Sequence, residues 1–344
     1  MLSCPVPITS RDCVLLGHGS GGKLSAELLE RVFLPAFDNP ALARREDQAV
    51  VVAPASRLAF TTDTFVVKPL FFPGGDIGSL AVHGTINDLA MGGADPLYLS
   101  AGFVLEEGFP LADLQAIVTS MARAARQAGV PVVTGDTKVV EKGKGDGVFI
   151  NTSGIGAVAD GIDWGAHQVK PGDVILLSGS VGDHGMAVLS RREGMEWKTT
   201  IASDSAPLHT LMAAMRQAHP AIRCLRDPTR GGLATTLNEI AAQSRTGMLL
   251  EEAAIPIHPE VAAACELLGL DPLYVANEGK LVAIVAPEAE GAVLAAMRGH
   301  PLASRAVRIG TVTSTNAGLV LLRTAFGTTR IVDRLPGDQL PRIC

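Results

Sequence analysis

Two successive runs of the same alternation narrow the fold more than any other feature of this sequence. Strand-length apolar segments rich in β-branched residues are separated by stretches whose apolar residues recur at helical spacing. In the first run the strand segments are Ala49–Ala53, Leu58–Thr62, Leu97–Leu105, Val130–Thr134 and Phe149–Val158, with the helical period at Leu111–Ala128. The pattern pauses over the polar, Gly- and Pro-containing segment DGIDWGAHQVKPGD, residues 160–173. It resumes with strands at Val174–Ser178, Lys280–Val285, Arg308–Val312 and Leu319–Arg323, and helices at Ala206–Ala218, Leu233–Ala242 and Val261–Leu268. A chain of 344 residues outgrows one ordinary core. The alternation therefore predicts two units, residues 1–160 and 161–334, both mixing helix and strand. The last ten residues, LPGDQLPRIC at 335–344, hold two prolines, one glycine and no amphipathic period, and are expected to be extended and mobile.

Composition removes several function classes. With 47% apolar and 19% charged residues the chain is core-forming, not disordered. Its formal charge of −6 and lack of any long Lys/Arg cluster argue against nucleic acid. No uninterrupted apolar run is long enough for a membrane helix, and residues 1–11 lack the order of a signal peptide, so a cytoplasmic location is expected. Cys4, Cys13, Cys224, Cys265 and Cys344 form no CxxC pair and are odd in number, which argues against both a zinc site and a disulfide framework.

The strongest phosphate signal is the loop Gly17–Lys23, GHGSGGK, between apolar Val14–Leu16 and a helix-like stretch. Such loops offer backbone N–H groups to an anion. It is not a P-loop, because Leu24 stands where a Ser or Thr must meet Mg²⁺. Four aspartates sit where strands or helices end: Asp47, Asp63, Asp88 and Asp136. Carboxylates are hard donors suited to Mg²⁺, which takes only one or two of them beside nucleotide phosphates and water. Taken singly, each also fits an N-cap or turn. Asp227 lies in RDPTRGG, which reads equally as an anion or metal contact at a helix start and as a structural turn. Cys344 closes the sequence; a thiol there is hard to shield, and its chemistry depends on docking near positive charge or a base. An incidental terminal thiol is the alternative.

In order along the chain, HGSGGK, TTDTFVVKPLFFPGGDIG, TINDLAMGGADP, VTGDTKV, RDPTRGG, ANEGKLV and the closing PRIC resemble the HypE family of hydrogenase maturation carbamoyl dehydratases, within the aminoimidazole ribonucleotide synthetase (PurM-like) superfamily. PRIC is the most specific of these motifs, since the glycine loop and the aspartates recur across the superfamily. The resemblance implies a PurM-like two-domain fold: an N-terminal ATP-binding α/β domain that dimerises through its sheets with ATP at the interface, a C-terminal α+β domain, and a flexible tail. It implies ATP and Mg²⁺, a carbamoyltransferase, HypF, that loads the terminal cysteine, and a HypC–HypD complex that accepts the cyano group for the iron of a nickel–iron hydrogenase.

Carried over residue by residue, the resemblance makes Cys344 the carrier of an S-carboxamide, with Lys138 and Glu278 polarising it and taking its protons. Gly19, Ser20, Gly21, Gly22 and Lys23 would cover phosphates, and Asp63, Asn87, Asp88, Asp136 and Thr137 would bind the nucleotide. Asp47, Asp63, Asp88, Asp136 and Asp227 would surround Mg²⁺. His18 and His83 are further proton carriers or simply structural. Two rival readings remain at this stage. One is another ATP-using member of the superfamily, such as a thiamine-phosphate kinase or a selenophosphate synthetase; the other is a non-catalytic thiol scaffold.

Overall fold

The computed structural model describes residues 12–19, 23–44, 49, 51–54, 57–192, 200–334, 340 and 343. Helices α1 (Lys23–Leu28) and α2 (Leu34–Phe37), joined by a turn of π-helix, precede strand β1 (Leu58–Phe65). A small ribbon, β2 (Phe71–Phe72) with β3 (Gly75–Asp76), leads into helix α3 (Ile77–Met91). Strand β4 (Ala94–Glu106), helix α4 (Leu111–Ala128), β5 (Val132–Val140) and β6 (Val148–Val158) complete the first half. Its sheet runs β1-β6-β4-β5; only β4 and β5 are parallel, as a crossover through α4 demands. The expected strand at Ala49–Ala53 does not form at the described residues 49 and 51–53. Val52 is instead 75% exposed, held only by the Tyr98 hydroxyl on its carbonyl among the bonds seen there, because β-branched residues make a strand only beside a partner.

Register decides which residues share a face of this sheet. Thr152 donates to the Ala81 carbonyl of α3, so Thr152 faces that helix. Directly opposite Thr152 stand Asp63 on β1 and Ala101 on β4, and opposite Ala101 stands Gly135 on β5. All four therefore face α3. The next row, Thr64, Asn151, Gly102 and Asp136, points the other way, and with it Lys138, two residues along β5. Among the described residues that second face is open: Phe60 is 71% exposed, and Asn151 and Val104 are exposed too.

The second half contains β7 (Val174–Leu177), α5 (Asp183–Leu189), α6 (His209–Ala218), β8 (Ile222–Arg226), α7 (Gly232–Ser244), β9 (Gly247–Glu251), α8 (Pro259–Leu268), β10 (Val282–Val285), α9 (Glu290–Gly299), β11 (Val307–Thr313), β12 (Val320–Arg323) and β13 (Thr329–Val332). Its sheet runs β13-β12-β9-β11-β7-β10-β8, with β9 and β12 parallel. Helices cover both faces, which explains the unbroken apolar runs of β7 and β10. Alternate residues of each go to opposite cores: Ile175, Leu177, Val282 and Ile284 join Leu233 and Leu237 of α7, while Val174, Leu176, Ala283 and Val285 join Leu211 and Met215 of α6 and Val293 and Met297 of α9. Truncating one such side chain to Ala costs about 2–5 kcal/mol.

Helix α3 belongs to both halves. It begins in a capping box, with Asp76 accepting from Gly78 N and Ser79 N while Ser79 Oγ accepts from Asp76 N. All but three of its 15 residues are buried. Ile77, Leu80 and Ile86 enter the first core, whereas Ala90 and Met91 enter the second-half core. The closing segment, expected to be mobile, is packed at its two described residues. Ile343 is 2% exposed and part of the first core, and Leu340 packs against both that core and the cluster around Met186, Leu189 and Val261.

Candidate active site

Three of the expected acidic residues meet on the α3 side. Asp88, near the end of α3, accepts from the Thr61 hydroxyl of β1 at 2.8 Å, and Asp63 accepts from Thr64 N at 2.7 Å. Asp227 follows β8 in the turn before α7. Burial pushes Asp227 up to about 7, with Asp88 and then Asp63 adding repulsion and Arg226 opposing it. Asp88 is raised by burial and then by Asp63, against the Thr61 bond; Asp63 is raised by burial, with Arg230 opposing. The cluster borders a polar cavity of about 970 Å³ whose walls include Thr61, Asp88, Arg226, Asp227, Thr229 and Arg230. Carboxylates that raise one another's pKa beside two guanidiniums are the chemistry of a site built for a cation and phosphates together. Among the described residues no three acidic, His or Cys side chains converge into a metal cage. The donors therefore fit a Mg²⁺ that completes its shell with phosphate oxygens and water, and not a dedicated protein cage.

Asp136 and Lys138 are elsewhere. Both lie on the open face of the sheet, paired at 2.8 Å and mostly exposed, and Lys138 holds the Asp136 carboxyl below its usual range. Two strands, β6 and β4, separate them from β1, and parity sends Asp136 to the face opposite Asp63, so one chain does not bring these two aspartates into one site. Thr137 and Gly19 line a second cavity with them, about 250 Å³, roofed by Leu28 and Phe33. Gly19 belongs there for a steric reason, since a Cβ on it would stand 2.6 Å from Val139 N. Gly19 thus lies directly against β5. Ser20, Gly21, Gly22, Asp47 and Cys344 lie outside the described residues, and Lys23 is described only as the first backbone position of α1.

The third expected group sits between the halves. Glu278 is 2% exposed and follows Asn277, whose own amide is tied to Gly182 N, Pro228 O and Val275 O. Asn87 requires a correction. Its amide donates to Ala206 O and Glu278 O, both at 3.1 Å, and accepts from Leu208 N at 2.8 Å. Both its N–H groups are committed, so Asn87 fastens the two halves and has no donor left for a nucleotide. His18 accepts from Leu15 N, and His83 is pushed down to about 4 by burial and pairs with Ser205 Oγ. Burial lowers His18 as well, and both rings are engaged in hydrogen bonds that the fold itself supplies.

Two residues that the sequence did not single out hold this junction. Asp204 accepts from Glu278 N, Gly279 N and Lys280 Nζ, and so fixes the loop that presents Glu278. The approach is close enough that a Cβ on Gly279 would overlap the Asp204 carbonyl oxygen. His184 of α5 bonds the Ile343 carbonyl at 2.9 Å, while its neighbour Gly185 donates to Ala276 O, two residues before Glu278. Ile343 is therefore seated beside the loop that carries Glu278. Asp204 and His184 stand in segments with no recognisable motif, so only their positions after folding reveal them.

The residues match two known domain families: residues 45–158 match the N-terminal domain of AIR synthase related proteins, and residues 170–321 match their C-terminal domain. Among characterised proteins, carbamoyl dehydratase HypE of Cupriavidus necator is 63% identical over 330 residues, covering 96% of this chain and 94% of its own. A crystal structure of hydrogenase maturation protein HypE in complex with ATP superposes with a TM-score of 0.93 at 49% identity, over 96% of this chain and 99% of the other. A HypE–HypF complex contains a chain that matches at a TM-score of 0.79 and 50% identity, over 90% and 99%. These likenesses run through both halves and set aside the rival kinase and scaffold readings. The chain belongs to the HypE family of carbamoyl dehydratases, enzymes of hydrogenase maturation built on the AIR synthase related fold.

Proposed function

We propose that this chain dehydrates an S-carboxamide carried on its own Cys344 to a thiocyanate, using ATP, and so supplies the cyanide ligand for the iron of a nickel–iron hydrogenase. The observation that carries the reading is the seating of residue 343 at the Glu278 loop, through His184 and Gly185. Ile343 is buried in the first core, in a cluster that also takes in Val188 and Ala276 of the second half.

The carboxamide oxygen is a poor leaving group. It attacks the γ-phosphorus of ATP, ADP departs, and one proton leaves the nitrogen, giving an O-phosphorylated imidate on sulfur. The C–O bond then breaks, phosphate leaves, and the second nitrogen proton is lost to give the thiocyanate. Glu278, buried and with its backbone N–H held by Asp204, is the base that takes a nitrogen proton. Lys138 polarises the carboxamide. Asp63, Asp88 and Asp227 would hold Mg²⁺ together with the phosphates, and the ion would neutralise phosphate charge. Arg226 and Arg230 line the same cavity and suit phosphate oxygens.

Lys138 and Asp136 face away from α3, so the reading also requires a second copy of the chain, whose β5 would close over the first. Support comes from the open sheet face with its exposed Phe60 and Val104. A homodimer is therefore part of the proposal, as are loading by HypF and delivery to HypC–HypD in the cytoplasm. No described helix is long and apolar enough to cross a membrane. The family boundaries and the pause at residues 160–173 support domains at 1–160 and 161–334. Incubation with the carbamoyl donor, then ATP, should add one carboxamide to the C-terminal peptide and then remove one water. Cys344→Ala should abolish both changes while ATP still binds; a mass change surviving in that variant refutes the assignment.

A further inference from the structure

His184 is buried and gripped at both ring nitrogens. Its Nε2 lies 2.9 Å from the Ile343 carbonyl oxygen, which can only accept, so the ring proton sits on Nε2. Nδ1 is then the acceptor, 2.8 Å from Ser203 Oγ, and Ser203 Oγ in turn accepts from Ser205 N at 3.1 Å. The donors line up in one direction: Ser205 N–H to Ser203, Ser203 O–H to His184, His184 N–H to Ile343. The edge-on ring of Phe72, 5.4 Å away, fixes the plane of the imidazole. Burial keeps His184 below its usual pKa, against Asp204, so the neutral tautomer persists.

The bonded carbonyl belongs to the peptide plane through which the chain passes to its last residue. We infer that His184 is a positioning residue that fastens the chain's end for dehydration, by donating Nε2–H to Ile343. This rests on the reading that Cys344 carries the substrate. The Ile343 side chain is buried and Leu340 reaches to within 3.5 Å of where a Cβ on Gly185 would lie, so apolar contact and one hydrogen bond act together. A buried carbonyl needs a donor, and a neutral imidazole supplies one whose net strength is modest. Modest strength suits a tail that must also leave this seat to be loaded by a carbamoyl donor. A charged donor would hold it too long.

The test uses the full-length protein and the variants His184→Phe, which keeps the ring and its contact with Phe72, and His184→Gln, which restores an N–H. Carboxypeptidase release of terminal residues from the native, unmodified chain reads seating directly. Single-turnover dehydration of the carbamoylated chain at saturating Mg·ATP, followed by the mass of the C-terminal peptide, reads positioning. His184→Phe should release residues about tenfold faster and dehydrate about tenfold slower, the worth of one buried hydrogen bond, with ATP affinity unchanged. His184→Gln should recover most of both. Wild-type behaviour of His184→Phe in either assay, or no recovery with Gln, overturns the inference. Should the Phe variant not fold, Ser203→Ala decides: it removes the donor that fixes the tautomer, so both rates should shift in the same directions by about twofold, and unchanged rates overturn the inference. If the wild-type chain never gains a carboxamide on Cys344, the substrate reading fails, and the carboxypeptidase arm still judges His184.

Discussion

Replacing Asp204 by Asn should damage stability and turnover together while sparing nucleotide binding. The Asp204 side chain is 4% exposed and its carboxylate takes three donors: Glu278 N at 3.1 Å, Gly279 N at 3.3 Å and Lys280 Nζ at 3.0 Å. Asn keeps one acceptor oxygen and no charge. Lys280, with 12% of its side chain exposed, is left with Asp183 at 4.0 Å as its remaining anion among the described residues. Bonds to a charged acceptor contribute about 1.5–3 kcal/mol each against about 1 for neutral ones, and stripping one partner from a buried pair costs about 3–5 kcal/mol. A loss of about 3 kcal/mol is expected; against an unfolding entropy of about 0.7 kcal/mol/K for 344 residues it lowers Tm by about 4 °C. The chemical consequence follows from the same bonds. Without them the Glu278 loop shifts, and a displacement near 1 Å costs on the order of 100-fold in rate. A thermal scan and single-turnover dehydration of the carbamoylated chain measure the two effects, with ATP binding as the internal control. An Asp204→Asn enzyme that melts within about 1 °C of the parent and turns over normally would refute this account of how Glu278 is held.

Gly19→Ala places a Cβ 2.6 Å from Val139 N, so the glycine loop must lift from β5; ATP affinity should fall about tenfold in equilibrium binding, with Tm unchanged. Asp227→Asn removes one of three mutually repelling carboxylates. The Mg²⁺-free protein should gain about 1 kcal/mol while Mg·ATP binding weakens, which melting with and without Mg·ATP will show. Cys224 and Cys265 are buried, and burial pushes both thiols up to about 11, so iodoacetamide at mildly alkaline pH should leave these two unmodified in the native protein; peptide mass mapping checks this.

Legibility in the sequence followed the physical source of each feature. Helix α4 was visible to the residue, Leu111–Ala128, because one face is buried on the sheet and the other is wet. Helix α3 was not, because it is buried nearly all round and so carries no period. In β7 and β10 the same circumstance removed the period of two, but short length and β-branching still marked strands. The aspartates were individually visible at the ends of elements. Their division between two faces was not, since it depends on the register of four strands and a shift by one residue reverses it. Asn87 was carried over with the motif TINDLAMGGADP, whereas only folding brings Ala206, Leu208 and Glu278 to its side chain.

The position of α3 bears on how the enzyme cycles. With Asn87 fastened to three main-chain groups of the second half, and Ala90 and Met91 sunk in its core, swinging the halves apart would expose apolar surface and orphan buried amides at every turnover. Catalysis on such a frame has no hinge to wait for. The walls of the cavity around Thr61, Asp88 and Arg226 therefore keep their places from one turnover to the next, and anything that shifts during a cycle is smaller than a domain.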